Sequence, residues 1–260
     1  MLGGALSWSA LALFYFILLL PIAVLWQMGL QSLIRSLLMS VARMSLQLLL
    51  VGVYLQVVFK LDHPALNLLW LLVMIGMAAL TVGQRAKLPL RKMYLPLSFG
   101  LLGGAVPVLA MFLLVLVQPT PWYHAQYLIP ITGMLLGNAL SGLVVAMQRL
   151  AGAHEGERED IRALLVMGAS PYEASLPLLR RALMASYGPQ LAGMATLGLV
   201  SLPGMMTGQI LGGADPLTAV QFQIAIMLGI SACQSLATLA ALLTASHRLV
   251  GPSGLFRPVG

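Results

Sequence analysis

Residues 93–148 read MYLPLSFGLLGGAVPVLAMFLLVLVQPTPWYHAQYLIPITGMLLGNALSGLVVAMQ, without a single Asp, Glu, Lys or Arg. A helix needs about 20 apolar residues to cross the hydrocarbon core of a bilayer. This run is too long for one crossing and suits two. The stretch Gln118-Pro119-Thr120-Pro121-Trp122-Tyr123-His124 divides it. Two prolines stop a helix there, and Trp and Tyr suit a membrane interface.

The pattern extends in both directions. Seven segments reach spanning length: Trp8–Trp26, Leu37–Phe59, Leu66–Gly83, Leu95–Val117, Tyr127–Met147, Leu191–Leu211 and Ala219–Ala245. Composition agrees. Of 260 residues, 60% are hydrophobic and 8% charged, against about 25% charged in a soluble domain. The expected fold is therefore an all-α, polytopic membrane protein of about seven transmembrane helices, read as one permease domain over residues 1–260. Met1 to Leu6 lack the basic start of a secretory signal, so the first segment reads as a retained helix. Cys233, the only cysteine, allows no internal disulfide or thiolate cluster and reads as a small core residue.

Basic residues set the expected orientation. Arg35, Arg43, Arg85, Lys87, Arg91, Lys92, Arg149, Arg158, Arg162, Arg180, Arg181, Arg248 and Arg257 fall on one side, and Lys60 alone on the other. The positive-inside rule then places the N-terminus outside and the C-terminus in the cytoplasm. The net charge of +7 thus speaks for topology, and no nucleic-acid partner is expected.

The sizeable hydrophilic region, residues 149–189, lies between the fifth and sixth segments, on the cytoplasmic side. It holds a short helical stretch, Ile161–Met167, a stop at Gly168, and then Ser170-Pro171-Tyr172-Glu173. That is a capping box, with Ser170 as N-cap and Glu173 reaching back. A helix, a tight turn and a second helix result, either as a connector or as a docking element.

What is missing narrows the function. The acids Asp62, Glu155, Glu157, Glu159, Asp160, Glu173 and Asp215 all read as loop residues, and the four histidines as loop or helix-end residues. Ion-driven carriers usually need an ionisable group at membrane depth. Only Arg43, near an inner helix end, comes close. The lysines follow Phe59, Ala86 and Arg91, so no Walker motif exists, and no acid–base pair for an intramembrane hydrolase is available. A pore, a scaffold, or a transporter subunit powered by another chain remains.

Within the fifth segment Gly133, Gly137 and Ser141 make a small-residue ridge for close helix packing. In the sixth, Gly204, Gly208 and Gly212 do the same, and Pro203-Gly204 should weaken the helix in mid-membrane. Freed carbonyls there need protein or a wet cavity. Met134, Asn138, Ser201, Met205, Met206 and Gln209 are thus candidate pathway-lining residues, against a reading as plain packing. Arg43 and Gln47, one turn apart, join them; Arg43 either snorkels to the interface or meets a neighbouring helix end or an anion. The sixteen methionines are scattered, so packing explains most of them, and no metal-ligand set is assigned.

These residues carry a resemblance. Leu199-Val200-Ser201-Leu202-Pro203-Gly204-Met205-Met206-Thr207-Gly208, then Gly213 to Ala219, resembles the FetB-type permeases of iron-export ABC transporters. So do Ile129 to Met134 with Gly137-Asn138-Ala139, and Arg43 with Gln47-Leu48. The resemblance implies a permease subunit of the bacterial inner membrane, working as two permeases with two ABC-type ATPase subunits. It implies no cofactor in this chain, with ATP and Mg in the partner. It also implies iron or another metal ion as cargo; an anionic small molecule such as a sugar nucleotide, or a non-transporting scaffold, is the alternative. Ala163, Leu164, Gly168, Ala169, Ser170, Pro171 and Tyr172 resemble the ATPase-coupling loop of bacterial permeases. That loop commonly reads Glu-Ala-Ala-x-x-x-Gly. Here Arg162-Ala163-Leu164 occupies the triplet, so the acidic position is lost.

Overall fold

A computed structural model describes residues 7–152 and 155–249 of the chain. Met1 to Leu6, His154 and Arg257 lie outside them. The described residues are helical apart from turns and one isolated bridge. They form two units, divided after Leu61.

The first unit contains α1 (Trp8–Phe14), a 3-10 turn (Tyr15–Leu18), α2 (Leu19–Gln27) and α3 (Gln31–Leu61). α1 and α2 have no buried side chain, and α3 buries only Val58. Phe14, Phe16, Trp26 and Leu48 are exposed. Side chains of this kind favour lipid over water.

The second unit contains α4 (Pro64–Arg85), α5 (Leu90–Met111, continued by a π-helical turn Phe112–Val117), α6 (Ala125–Ala151), α7 (Glu155–Val166), α8 (Pro171–Thr196), α9 (Gly204–Leu211) and α10 (Pro216–Leu249). α5 packs along α10, α6 sits among α4, α8 and α10, and α7 lies on α8. Leu97, Leu101, Leu135, Leu143, Met147 and Leu242 are fully buried in this core. Cys233 is buried there too, as expected.

Among the described residues, six helices are long and apolar enough to cross a membrane: Trp8–Gln27, Gln31–Leu61, Pro64–Arg85, Leu90–Val117, Ala125–Ala151 and Pro216–Ala245. At about 1.5 Å per residue, even the 22-residue α4 matches a core about 30 Å thick. None of the six contains an Asp or Glu.

The expected sixth span, Leu191–Leu211, is corrected. It is not one helix. α8 ends at Thr196, the chain turns through Leu197 to Pro203, and α9 starts at Gly204. Gly198 takes φ +82° and donates its N–H to the Ser201 carbonyl at 3.0 Å. The break thus begins six residues before Pro203, which caps α9 rather than kinking a continuous helix. The acids are corrected as well: Glu155, Glu157, Glu159 and Asp160 belong to α7 and Glu173 to the first turn of α8, rather than to loops.

The expected glycine ridges stay largely open within one chain: a Cβ on Gly137, Gly204 or Gly208 would meet nothing within 4 Å, while one on Gly133 would lie 3.4 Å from Met74 Cε. Gly100 and Gly104 of α5 are packed against backbone. A Cβ at Gly104 would fall 2.5 Å from the Cys233 carbonyl oxygen, and one at Gly100 2.9 Å from that of Ala237. Here only glycine lets α5 lie against α10.

At one end of the second unit, Asp62 fastens the α3–α4 turn to the start of α6. Its Oδ1 accepts the Ala125 N–H at 2.9 Å and the Asn67 Nδ2–H at 3.0 Å. His124 Nδ1 lies 3.6 Å from Oδ2. The Ala125 N–H chiefly holds the Asp62 carboxyl below its usual range, against some desolvation and with help from Asn67 and His124. A lowered carboxylate pKa stabilises the fold above the unfolded value of about 3.9 and loses that effect as pH falls through the folded value. Asp62→Asn should therefore lower the melting temperature at pH 7, by about 1 kcal/mol in stability. The gap to wild type should narrow as the melt is taken below about pH 4 and close only below the lowered folded-state pKa.

Candidate functional site

α6 presents Asn138, Ser141, Gly142 and Val145 on one face, at helical spacing. α8 presents Ser186, Gln190, Gly193 and Met194, and α10 presents Met227, Ile230 and Gln234. With Ser201 from the break, these faces border a half-open cavity of about 430 Å³, with Asn138, Ser141 and Ser201 at its exposed rim. Among the described residues, none that lines it is charged.

Gln234 organises the wall. Its Nε2 donates to the Ser186 carbonyl at 2.9 Å, joining α10 to α8. Its side chain passes over Gly142, where a Cβ would lie 2.2 Å from Nε2. Any larger residue at 142 would push Gln234 off Ser186. One turn along α8, Gln190 is different: both its amide Nε2 and Oε1 are buried without a hydrogen-bond partner among the described residues. Tyr187 donates to the Ser235 hydroxyl, a further polar tie between α8 and α10.

A second cavity of about 330 Å³ shares Met194, Leu197 and Met227 with the first. Leu202, Pro203, Met206 and Gln223 line it as well. Gln223 is 8% exposed, and its Oε1 has no partner among the described residues.

The structure brings some of the sequence candidates together. Asn138 and Ser201 line the first cavity, and Met206 the second. Asn138 also donates from Nδ2 to the Met134 carbonyl at 2.8 Å. Met134 and Met205 are partly buried against the hydrophobic core. Gln209, on α9, has a buried Oε1 without a partner among the described residues. Arg43 and Gln47 are exposed, one turn apart on α3 of the first unit. Ser186, Gln190 and Gln234 were not singled out from the sequence. The available signal was an uncharged amide inside or beside an apolar segment.

Outside the six spans, α7 and α8 form a hairpin. α7 ends with Gly168 at φ +94°. The Ala169 N–H reaches the Leu164 carbonyl at 3.0 Å and the Gly168 N–H that of Leu165 at 3.1 Å, a Schellman stop. α8 opens on the expected capping box: Ser170 Oγ accepts the Glu173 N–H, and Glu173 Oε2 accepts the Ser170 N–H at 2.8 Å. The Ser170 hydroxyl and N–H hold the Glu173 carboxyl below its ordinary pKa. Ala163, Gly168, Ser170 and Tyr172 are exposed, Leu164 and Ala169 half-buried, and Pro171 occupies the first turn of α8. Between them, Val166 is 88% exposed and Met167 74%.

Glu157 anchors the hairpin. It accepts from both guanidinium nitrogens of Arg149, at the end of α6, and from Arg181 on α8 at 2.6 Å. Its side chain is 12% exposed, so loss of its charge leaves two guanidiniums facing each other. Glu157→Gln should cost about 1–3 kcal/mol. Thermal denaturation would show it, with a smaller loss at high salt if screening relieves the arginines.

Helices of spanning length, an apolar exterior and a polar cavity at a helix break define a polytopic helical membrane protein. The sequence matches the family described as "Uncharacterised protein family (UPF0014)" over residues 8–250. The chain belongs to that family. It is 39% identical to a UPF0014 membrane protein of Synechocystis sp. (strain ATCC 27184 / PCC 6803 / Kazusa), covering 90% of each chain. It is 40% identical to "Protein ALUMINUM SENSITIVE 3" of Arabidopsis thaliana, over 75% of this chain and 70% of that one. It is 33% identical to the "Probable iron export permease protein FetB" of Escherichia coli (strain K12), over 80% and 78%. No solved structure matches.

Proposed function

We propose that the chain is the permease subunit of an ABC-type exporter in a bacterial inner membrane, driven by ATP hydrolysed in a separate subunit. The α7–α8 hairpin carries this reading. It lies outside the spans, is fastened to the end of α6 by Glu157, and offers Val166, Met167 and Tyr172 as an exposed apolar tip. Such a tip suits a protein partner better than water. The basic residues near it put it on the cytoplasmic side, with the N-terminus outside. Residues 149–189 then act as the coupling element of a single permease.

With no Walker motif in the sequence, ATP and Mg would be held by the partner on this reading. The printed name of the E. coli relative supports iron, or another metal ion, as cargo. Two permeases would work with two ATPases. The second copy would cover the open face around Gly193, Gly204 and Gly208, where a Cβ meets nothing, and shield the Leu197–Pro203 break, since irregular backbone is not left facing lipid.

The test is co-expression with a soluble ABC ATPase from the same genome, followed by purification in a lipid nanodisc. The expected result is an equimolar complex whose ATP turnover rises with solute, while the permease alone shows none. ATP turnover by the isolated chain would overturn the division of labour. A stable complex that no solute stimulates would favour a scaffold.

A further inference from the structure

We infer that the α6–α8–α10 cavity takes an electrically neutral solute bearing both hydrogen-bond donors and acceptors, and excludes a bare divalent cation or a free anion. The inference rests on the permease reading for its transport role, though not for binding itself, and it stands against a bare metal ion as the solute of this cavity.

Asn138, Ser141, Ser186, Gln190, Ser201 and Gln234 give the cavity amides and hydroxyls only, and each of these groups can donate and accept. A cation moved there from water would find no carboxylate, imidazole or thiolate to replace its water shell. No group of three or more His, Cys, Asp or Glu suited to a metal occurs among the described residues. An anion would find no guanidinium or ammonium. An uncompensated charge is costly in a low-dielectric site, while a neutral polar molecule loses little once its hydrogen bonds are remade.

Gln190 adds the second observation. A buried amide with neither atom bonded destabilises the empty protein. A solute with a donor and an acceptor on adjacent atoms, such as a vicinal diol or a carboxamide, satisfies both at once. Gln234 is held by Ser186 through its Nε2, which leaves Oε1 as an acceptor on a residue already fixed in place. At about 430 Å³ the cavity falls within the usual range for small-molecule sites. Met194 and Met227, common to both cavities, supply an adaptable apolar wall.

The experiment uses the full chain in nanodiscs, without any ATPase. Binding of myo-inositol, acetamide, iron(II) alone and inorganic phosphate is measured by equilibrium dialysis, for wild type and Gln190→Leu. At least one neutral probe should bind, about tenfold or more weaker in the variant, and the empty variant should melt higher than wild type because the unbonded amide is gone. Gln190→Asn should keep part of the binding. Iron(II) or phosphate binding that Gln190→Leu abolishes would overturn the inference, as would a variant that melts lower while all probes bind unchanged, or binding of no neutral probe. Because no ATPase is present, a neutral probe that binds to a chain pairing with no ATPase would sink the permease reading and leave this one standing. An ATPase complex stimulated by iron(II) alone would do the reverse.

Discussion

Gly104→Leu should prevent α5 from closing on α10, with a loss of about 3 kcal/mol or more. The reason is backbone. A Cβ at residue 104 falls 2.5 Å from the Cys233 carbonyl oxygen and 2.7 Å from the Ala237 amide nitrogen. Neither atom belongs to a side chain that can swing aside. The two helices would have to separate along their length, uncovering Leu97, Leu101, Ala241 and Leu242, each at most 1% exposed. Thermal denaturation in detergent and the yield of monodisperse protein measure the effect. Gly103 is the internal control: it is exposed, and its Cβ would approach only the Ala240 Cβ, at 3.8 Å. Gly103→Leu should stay within about 0.5 kcal/mol of wild type. Equal losses at 103 and 104 would mean that the α5–α10 contact is looser than drawn.

The second large effect concerns function rather than stability. On the proposed permease reading, Val166→Asp with Met167→Asp should abolish co-purification of the ATPase and all solute-stimulated turnover. Both side chains stand free in the isolated chain, so the melting temperature should move by no more than about 0.5 kcal/mol equivalent. A carboxylate buried in a protein contact without a partner is strongly unfavourable, so even two substitutions at the tip should suffice. If the doubly substituted protein still carried its ATPase, the docking surface would lie elsewhere. A change at Glu157 should look different, lowering both stability and turnover, because that residue fixes the hairpin rather than meeting the partner.

Most of the fold was legible because spanning length is a property of composition. The uncharged run 93–148 became α5, its π-helical turn and α6, with the expected turn at 118–124 between them. Ser170 and Glu173 announced the start of α8 by side-chain chemistry that acts within one turn. The break at Leu197–Pro203 was legible only at its end, where Pro203-Gly204 announced it; its start at Leu197 was not. Leu197, Leu199 and Val200 are as apolar as any spanning residues, and hydropathy does not register backbone direction. Glycine spacing was informative only in part, for a related reason. Gly133/Gly137 and Gly100/Gly104 recur at the same interval, and interval alone does not say which pair meets another helix.

The candidate site was half visible. Asn138 and Ser201 stood out as polar residues beside a proline break, and they line one cavity. Gln190 and Gln234 did not stand out, because attention to charged groups passes over neutral amides. Their role depends on α8 and α10 lying side by side, a contact between residues 48 positions apart in the Gln234–Ser186 bond.

α8 also has a mechanical meaning. One continuous helix carries Tyr172 at the exposed tip and Gln190 at the cavity wall. At about 1.5 Å per residue the two are some 27 Å apart along its axis. On the permease reading it would act as a lever, with Arg181 tethered to Glu157 near the middle as a fulcrum. Pro177 and Pro189 each omit a backbone hydrogen bond within it. Pro189 sits beside Gln190, so a push on the tip would be spent as bending at the residue proposed to hold the solute.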